Sequence, residues 1–106
     1  MPKYLVQGSY LADGAKGLLK DGGSKRVEVV QAAVEALGGS IDCIYYTFGS
    51  DDVVGIFDVA NDETAAAFSI AINSTGSVQI KTTRLLTPDQ IDRATQKTVN
   101  YKSPGQ

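Results

Sequence analysis

Residues 40–59, SIDCIYYTFGSDDVVGIFDV, decide how this sequence folds. Residues 40–48 and 53–59 are rich in β-branched and aromatic side chains, a composition typical of strands. Between them, the segment from Gly49 to Asp52 has the composition of a tight turn. The stretch therefore predicts a β-hairpin, and we expect the two aspartates of its turn to be solvated.

Helical patterns lie on both sides of this hairpin. Apolar residues recur at helical spacing over residues 24–37, before a glycine pair. An alanine-rich helix is predicted over 62–73, and another over 88–99, where a threonine cap, a proline and a glutamine form a capping-box pattern. Residues 11–23 contain four glycines, so we expect at most one short helix there, capped by Asp13.

Two further strands complete the pattern, one at residues 3–10 and a more polar one at 77–86. The order βαββαβ, followed by an additional C-terminal helix, predicts an α+β ferredoxin-like fold with one antiparallel sheet and both main helices on one face. Its strand order would be fourth, first, third, second. Because 106 residues are about the length of one domain, we expect a single domain over 1–100 and a tail over 101–106. We also expect Arg84, near the end of the fourth strand, to pair with Asp52.

The second strand would lie at the edge of this sheet, and both of its faces are apolar. Regular alternation places Ile41, Cys43 and Tyr45 on one face and Ile44 and Tyr46 on the other. Helices can cover only one face, and an exposed apolar edge strand is prone to aggregate unless something covers it. The sequence therefore predicts that a second copy of the chain stacks on the open face and forms a dimeric α/β barrel.

The composition excludes several kinds of chemistry. The chain has no histidine, no tryptophan and a single cysteine, Cys43. This rules out histidine-ligated haem or zinc, Ser-His and Cys-His catalytic pairs, and an internal disulfide. We therefore assign no catalytic residue and expect neither a metal site nor a cofactor.

The net charge of −2 is unevenly distributed. Residues 27–63 contain eight acidic and no basic side chains, whereas the segments on either side each carry a net charge of +3. Without a dense basic run, we do not expect nucleic-acid binding. No apolar run is long enough for a signal peptide or a membrane span, so we expect a cytoplasmic protein with no membrane partner.

One polar segment stands out as a candidate binding site. Four bases lie within eleven residues around a glycine pair, directly before a predicted helix. Glycine backbone and a helix N-terminus together suit a carboxylate, phosphate or sulfate, although the P-loop spacing is absent. The alternative is a simple kink with solvated bases. Including the tyrosine that ends the first strand and the serine that opens the helix, the predicted ligand-binding residues are Tyr10, Lys16, Lys20, Ser24, Lys25 and Arg26.

Five segments together resemble the GYD domain family of bacterial proteins over essentially the whole chain: MPKYLVQGSY, ADGAKGLLKDGGSKR, FGSDDVVGIFDV, AAAFSIAINSTGSVQIKTTRLLTP and YKSPG. The resemblance implies a dimeric α/β barrel, a fold also used by small cofactor-free monooxygenases and muconolactone isomerase-like proteins. The family is largely without an assigned function, so the resemblance does not imply one for this chain. The motif that names the family reads Gly, any residue, Tyr, Asp, whereas here Asp51 stands in place of the tyrosine.

Three functions are compatible with these observations. The first is a homodimer or larger homo-oligomer that binds a small anionic or aromatic metabolite. The second is a cofactor-free isomerase or monooxygenase that acts on a small organic substrate. The third is a regulatory or structural scaffold. We favour the binding module, because the residue types present offer no nucleophile and base to pair.

Overall fold

Four strands form a single antiparallel sheet in the computed structural model, which describes all 106 residues. The strands are β1 (Lys3–Tyr10), β2 (Ser40–Tyr46), β3 (Val53–Asp58) and β4 (Val78–Arg84). They pair in the order β2-β3-β1-β4, so the predicted strand order is confirmed. The architecture is α+β and is compatible with the ferredoxin-like fold.

Four helices connect or follow these strands: α1 (Ala12–Asp21), α2 (Gly23–Ala36), α3 (Asp62–Ser74) and α4 (Pro88–Thr95). The Asn61 side chain caps α3 by accepting a hydrogen bond from the backbone of Thr64 at 2.9 Å. The capping box predicted for the last helix is present at Thr87 and Gln90. None of the four helices is long and apolar enough to cross a membrane.

The first helix differs from its prediction. It runs for ten residues, and its N-cap is Leu11, which makes no side-chain cap, so Asp13 is not the cap. The start of α1 is fixed by tertiary contact, because the backbone N–H of Leu11 donates to the carbonyl of Ser77 at 2.9 Å. Gly22, with φ of 84°, ends α1 and makes the sharp joint to α2 that glycine favours.

The hydrophobic core lies between one face of the sheet and helices α2 and α3. Tyr4 and Val6 from β1 and Phe57 from β3 are buried there against Val34 and Ala65. The Phe57 ring also meets the ring of Phe68 edge to face, with 5.9 Å between centroids. The core thus fixes both main helices on one side of the sheet and leaves the other side open.

A β-bulge at Asp42 corrects the predicted faces of β2. Ile41 pairs with Phe57 and Cys43 pairs with the next residue of β3, Ile56, so Asp42 is an extra residue in the ladder. Ile41 consequently packs against the core, whereas Cys43 lies on the open face. The bulge is held by the ammonium of Lys3, which lies 2.5 Å from the carboxylate of Asp42.

Two expectations about the hairpin turn were wrong. Asp52 is half-buried, and its carboxylate accepts a hydrogen bond from the backbone N–H of Tyr10 at 2.8 Å. Arg84 pairs instead with Asp62 at 3.2 Å, because the register sets Arg84 opposite Tyr4 at the far end of the sheet. The turn is therefore tied to the end of β1.

Candidate functional site

An apolar cavity of about 60 Å³ lies between the sheet and the helices. Its walls are almost entirely aliphatic and aromatic, and they belong to α2, α3 and all four strands. Examples are Val30 from α2, Phe68 and Ile72 from α3, and Ile80 from β4.

Three polar side chains, Tyr10, Tyr46 and Arg26, form the mouth of this cavity. Tyr10 ends β1, Tyr46 ends β2, and Arg26 lies in the first turn of α2. The Tyr46 hydroxyl donates to the carbonyl of Gly23 at 3.0 Å and so ties the strand end to the beginning of the helix. The polar groups of the cavity, two hydroxyls and one guanidinium, are thus gathered at its entrance, and the rest of its wall is apolar.

Arg26 has no charged partner at this mouth. The three ion pairs of the protein involve Lys3 and Arg84, and no carboxylate lies within 4.0 Å of the Arg26 guanidinium. The residue is nevertheless half-buried. A partly desolvated, unpaired guanidinium favours an anion, most of all a carboxylate or phosphate that matches its planar fork.

Outside the mouth, a wider vestibule of about 300 Å³ lies between α1 and the beginning of β4. Tyr10 and Arg26 line both spaces, so the vestibule and the inner cavity meet at these two side chains. The α1 wall contributes Asp13 and Asp21. The vestibule therefore offers one cation and two carboxylates to whatever occupies it.

Burial raises the pKa of the Tyr46 phenol to about 12, with Tyr10 adding to the increase and the charge of Arg26 opposing it. The phenol ordinarily titrates near 10. Tyr46 therefore stays protonated at neutral pH and acts as a hydrogen-bond donor. Because the Tyr46 hydroxyl donates its hydrogen to Gly23, the mouth offers a ligand the Tyr10 hydroxyl and the fixed positive charge of Arg26. These groups suit binding better than proton transfer.

The raised pKa predicts how stability depends on pH in the alkaline range. Above the unfolded pKa near 10, the unfolded chain loses its Tyr46 proton while the folded chain keeps it until about pH 12. The free energy of unfolding should therefore fall as the pH rises through this window. We expect Tyr46→Phe to flatten this decline in urea titrations at several pH values. Tyr101→Phe, at an exposed tail position, should leave the decline as it is in the wild type.

The structure brings together two of the six predicted site residues. Tyr10 and Arg26 both lie at the mouth. Lys16, Lys20 and Lys25 are exposed and line neither the inner cavity nor the vestibule. Ser24 is also exposed and lines a separate groove beside β2. The basic segment is thus spread around the joint between α1 and α2, and only its last member points inward.

Tyr46 was missed as a site residue, because the sequence assigned it only to packing or to an interface. Its place at the mouth depends on the bulge at Asp42, which sets the register of β2. The apolar lining was also missed, because core and cavity residues have the same composition. One signal in the sequence could have identified the site. Arg26 is a charged residue that precedes Val27 and Val30, the apolar residues of α2 that face the sheet.

The profile of the GYD domain matches residues 4–95, which run from β1 to the last residue of α4. The chain belongs to the GYD domain family. No curated protein and no solved structure shows significant similarity to it. In this GYD domain, Asp51, for which the resemblance implies a tyrosine in the family, accepts a hydrogen bond from the Gln7 side chain at 3.3 Å. Family membership supports the fold and assigns no function to the residues at the mouth of the cavity.

Proposed function

We propose that this GYD domain is a homodimeric module that binds a small organic anion with a short aliphatic tail and does not transform it. The observation that carries the proposal is the half-buried, unpaired guanidinium of Arg26 at the entrance of an apolar cavity. A carboxylate there would receive a charge-assisted hydrogen bond from Arg26. The hydroxyls of Tyr10 and Tyr46 are the other polar groups at the entrance.

The volume of the cavity favours an aliphatic tail over an aromatic one. Roughly 150 Å³ of apolar cavity holds a benzene ring. The inner cavity, at about 60 Å³, has room for a branched group of a few carbons. A larger head group would remain in the vestibule, where Asp13 and Asp21 favour a ligand that carries a hydroxyl or ammonium donor beside its carboxylate. The ligand class is therefore a small substituted carboxylate.

The homodimer is supported by the amount of surface that one chain leaves exposed. A folded monomer of 11.2 kDa is expected to expose roughly 5,700 Å². This chain exposes 7351 Å², and only 8 of its 106 residues are buried. The excess of about 1,650 Å² includes the exposed residues 86–106 as well as the open face of the sheet, and it exceeds the roughly 800 Å² that each partner buries in a standard interface.

The open face of the sheet supplies the surface for that interface. Leu5, Val54 and Ile56 are only half-buried there, and Tyr45 is 68% exposed. The pairs Leu5 with Ile56 and Cys43 with Ile56 make the patch continuous across three strands. Stacking a second copy on this face would close a dimeric α/β barrel and cover the exposed edge side chains of β2.

Calorimetric titration with isovalerate tests the binding proposal. We expect saturable binding of isovalerate and much weaker binding of the uncharged isovaleramide, which has the same tail. Arg26→Gln should weaken isovalerate binding about 10- to 100-fold, since a hydrogen bond to a charged group is worth roughly 1.5–3 kcal/mol. Benzoate, with a ring too large for the inner cavity, should bind less tightly than isovalerate.

Arg93→Gln is the matched control, because Arg93 is an exposed arginine on α4, away from the cavity. It should bind isovalerate like the wild type. Recovery of unchanged isovalerate after long incubation is also expected. Equal affinity in the Arg26→Gln and Arg93→Gln variants, or equal binding of the acid and the amide, would contradict the proposal.

A further inference from the structure

The C-terminal arm, residues 86–106, stands away from the rest of the molecule. The last hydrogen bond to the body joins the backbone N–H of Leu85 to the carbonyl of Lys3 at 2.9 Å. Every hydrogen bond beyond it is local to the arm, and every arm residue except Gln90 is exposed. The radius of gyration is 17.0 Å, whereas a compact chain of this length has about 13 Å.

The arm nevertheless has the features of a segment that packs against another protein surface. Its helix α4 has a complete capping box and a proline in its first turn. An isolated helix shorter than roughly 12 residues is marginal in water, so an eight-residue helix needs a surface to pack on. The arm also exposes four large apolar side chains, Leu86, Ile91, Val99 and Tyr101, at 47–80%.

A groove with matching properties runs along the free edge of the sheet, between α2 and β2. Its volume is about 590 Å³, and Val27, Ile44 and Tyr45 provide apolar surface. Glu28 from α2 lies beside it. Because β2 is the outermost strand, its outer backbone groups are unpaired and free to accept an added strand.

Charge complementarity assigns the arm to this groove. Residues 93–106 contain three bases and no acid, and the one charged side chain that lines the groove is Glu28, which has no ion-pair partner. The opposite edge, β4, has Lys81 and no acid of its own, and its Arg84 already pairs with Asp62, so it offers the segment no free carboxylate. Val99 and Tyr101 alternate with polar residues, as a strand added to a sheet edge requires.

The position of the arm favours a groove on another molecule. The arm leaves the body at the end of β4, none of its residues lines the groove of its own chain, and the molecule extends to a length of 57 Å. We propose that the arm of one chain docks in the groove between α2 and β2 of a second copy. There, Val99 and Tyr101 lie on the apolar surface and the arm's lysines lie near Glu28.

Disulfide trapping tests this contact. In a Cys43→Ser background, Ser24→Cys places a thiol in the groove, and Ser103→Cys places one on the arm at the next position of the alternation that contains Val99 and Tyr101. Mild oxidation should give covalent dimers whose linked peptides contain positions 24 and 103. A control chain replaces Ser24→Cys with Glu63→Cys, which lies at the start of α3 over the other edge of the sheet. It should give at least fivefold less dimer. A linkage of monomer size, equal trapping in the control, or no trapping would overturn the proposal.

A charge exchange provides an independent readout. Glu28→Lys alone, and Lys97→Glu with Lys102→Glu together, should each reduce the yield of trapped dimer severalfold. Combining all three substitutions should restore the yield. Because all three positions are exposed, the variants should fold like the wild type, which circular dichroism can verify. Failure of the combined variant to recover would overturn the assignment of the arm to this groove.

Discussion

The wild type is expected to elute as a dimer, and a chain carrying Ile56→Asp is expected to elute as a monomer under the same conditions. Ile56 lies on the open face, between Leu5 on β1 and Cys43 on β2. A carboxylate there would lie at the centre of the stacked sheets without a partner, and burying an unpaired charge costs several kcal/mol. Size-exclusion chromatography with light scattering at micromolar concentration measures the outcome.

Ala67→Asp serves as the matched control for this change. Ala67 is exposed on α3, on the side of the molecule away from the open face. The substitution adds the same charge and should leave the dimer intact. Ile56 is half-exposed in the single chain, so Ile56→Asp should remain folded. A wild type that is monomeric, or an Ile56→Asp variant that stays dimeric, would contradict stacking through this face.

Gly14→Ala is expected to destabilise the protein, although alanine is the better helix former. The added Cβ would overlap the carbonyl oxygen of Ser77 and lie 3.0 Å from the Tyr10 ring. Overpacking of this kind costs about 1–3 kcal/mol, which outweighs the gain of about 1 kcal/mol that alanine provides in a helix interior. We expect α1 to move away from β4 and the vestibule to change shape. Urea denaturation should show the loss, and isovalerate should bind less tightly.

Gly17→Ala tests the explanation within the same helix. A Cβ at Gly17 would meet nothing within 4 Å, so only the helix propensity changes. This variant should be more stable than the wild type by about 0.5–1 kcal/mol. If both substitutions shift stability in the same direction, the close approach of Gly14 to Ser77 does not determine the position of α1.

The order of strands and helices could be predicted because each element carries its own local signal. The capping box at Thr87 and Gln90 is one such signal, and the turn composition between β2 and β3 is another. The extent of α1 could not be predicted in this way. Its four-glycine neighbourhood has poor helix propensity, and the helix is positioned by the contact between Leu11 and Ser77, which are far apart in the sequence.

The candidate site shows the same division between local and long-range signals. The cluster of bases around Gly22 and Gly23 is visible in the sequence, but which base turns inward depends on the phase of α2 against the sheet. Arg26 lies on the side of α2 that lines the cavity mouth, whereas Lys25 next to it is exposed. Tyr46 reaches the same place only through the register of β2. The residue types thus pointed to an anion site as a hypothesis, and packing determines which of these residues line the mouth of the cavity.

The bulge at Asp42 bears on how this fold can change in length during evolution. Losing one residue from a strand normally turns every following side chain to the opposite face. Here the ladder already contains one residue too many, so losing Asp42 would leave Ile41 and Cys43 in regular alternation opposite Phe57 and Ile56. Lys3 would keep Asp58 as an ion-pair partner at 3.0 Å. This edge strand is therefore a place where a single-residue deletion preserves both the core and the open face.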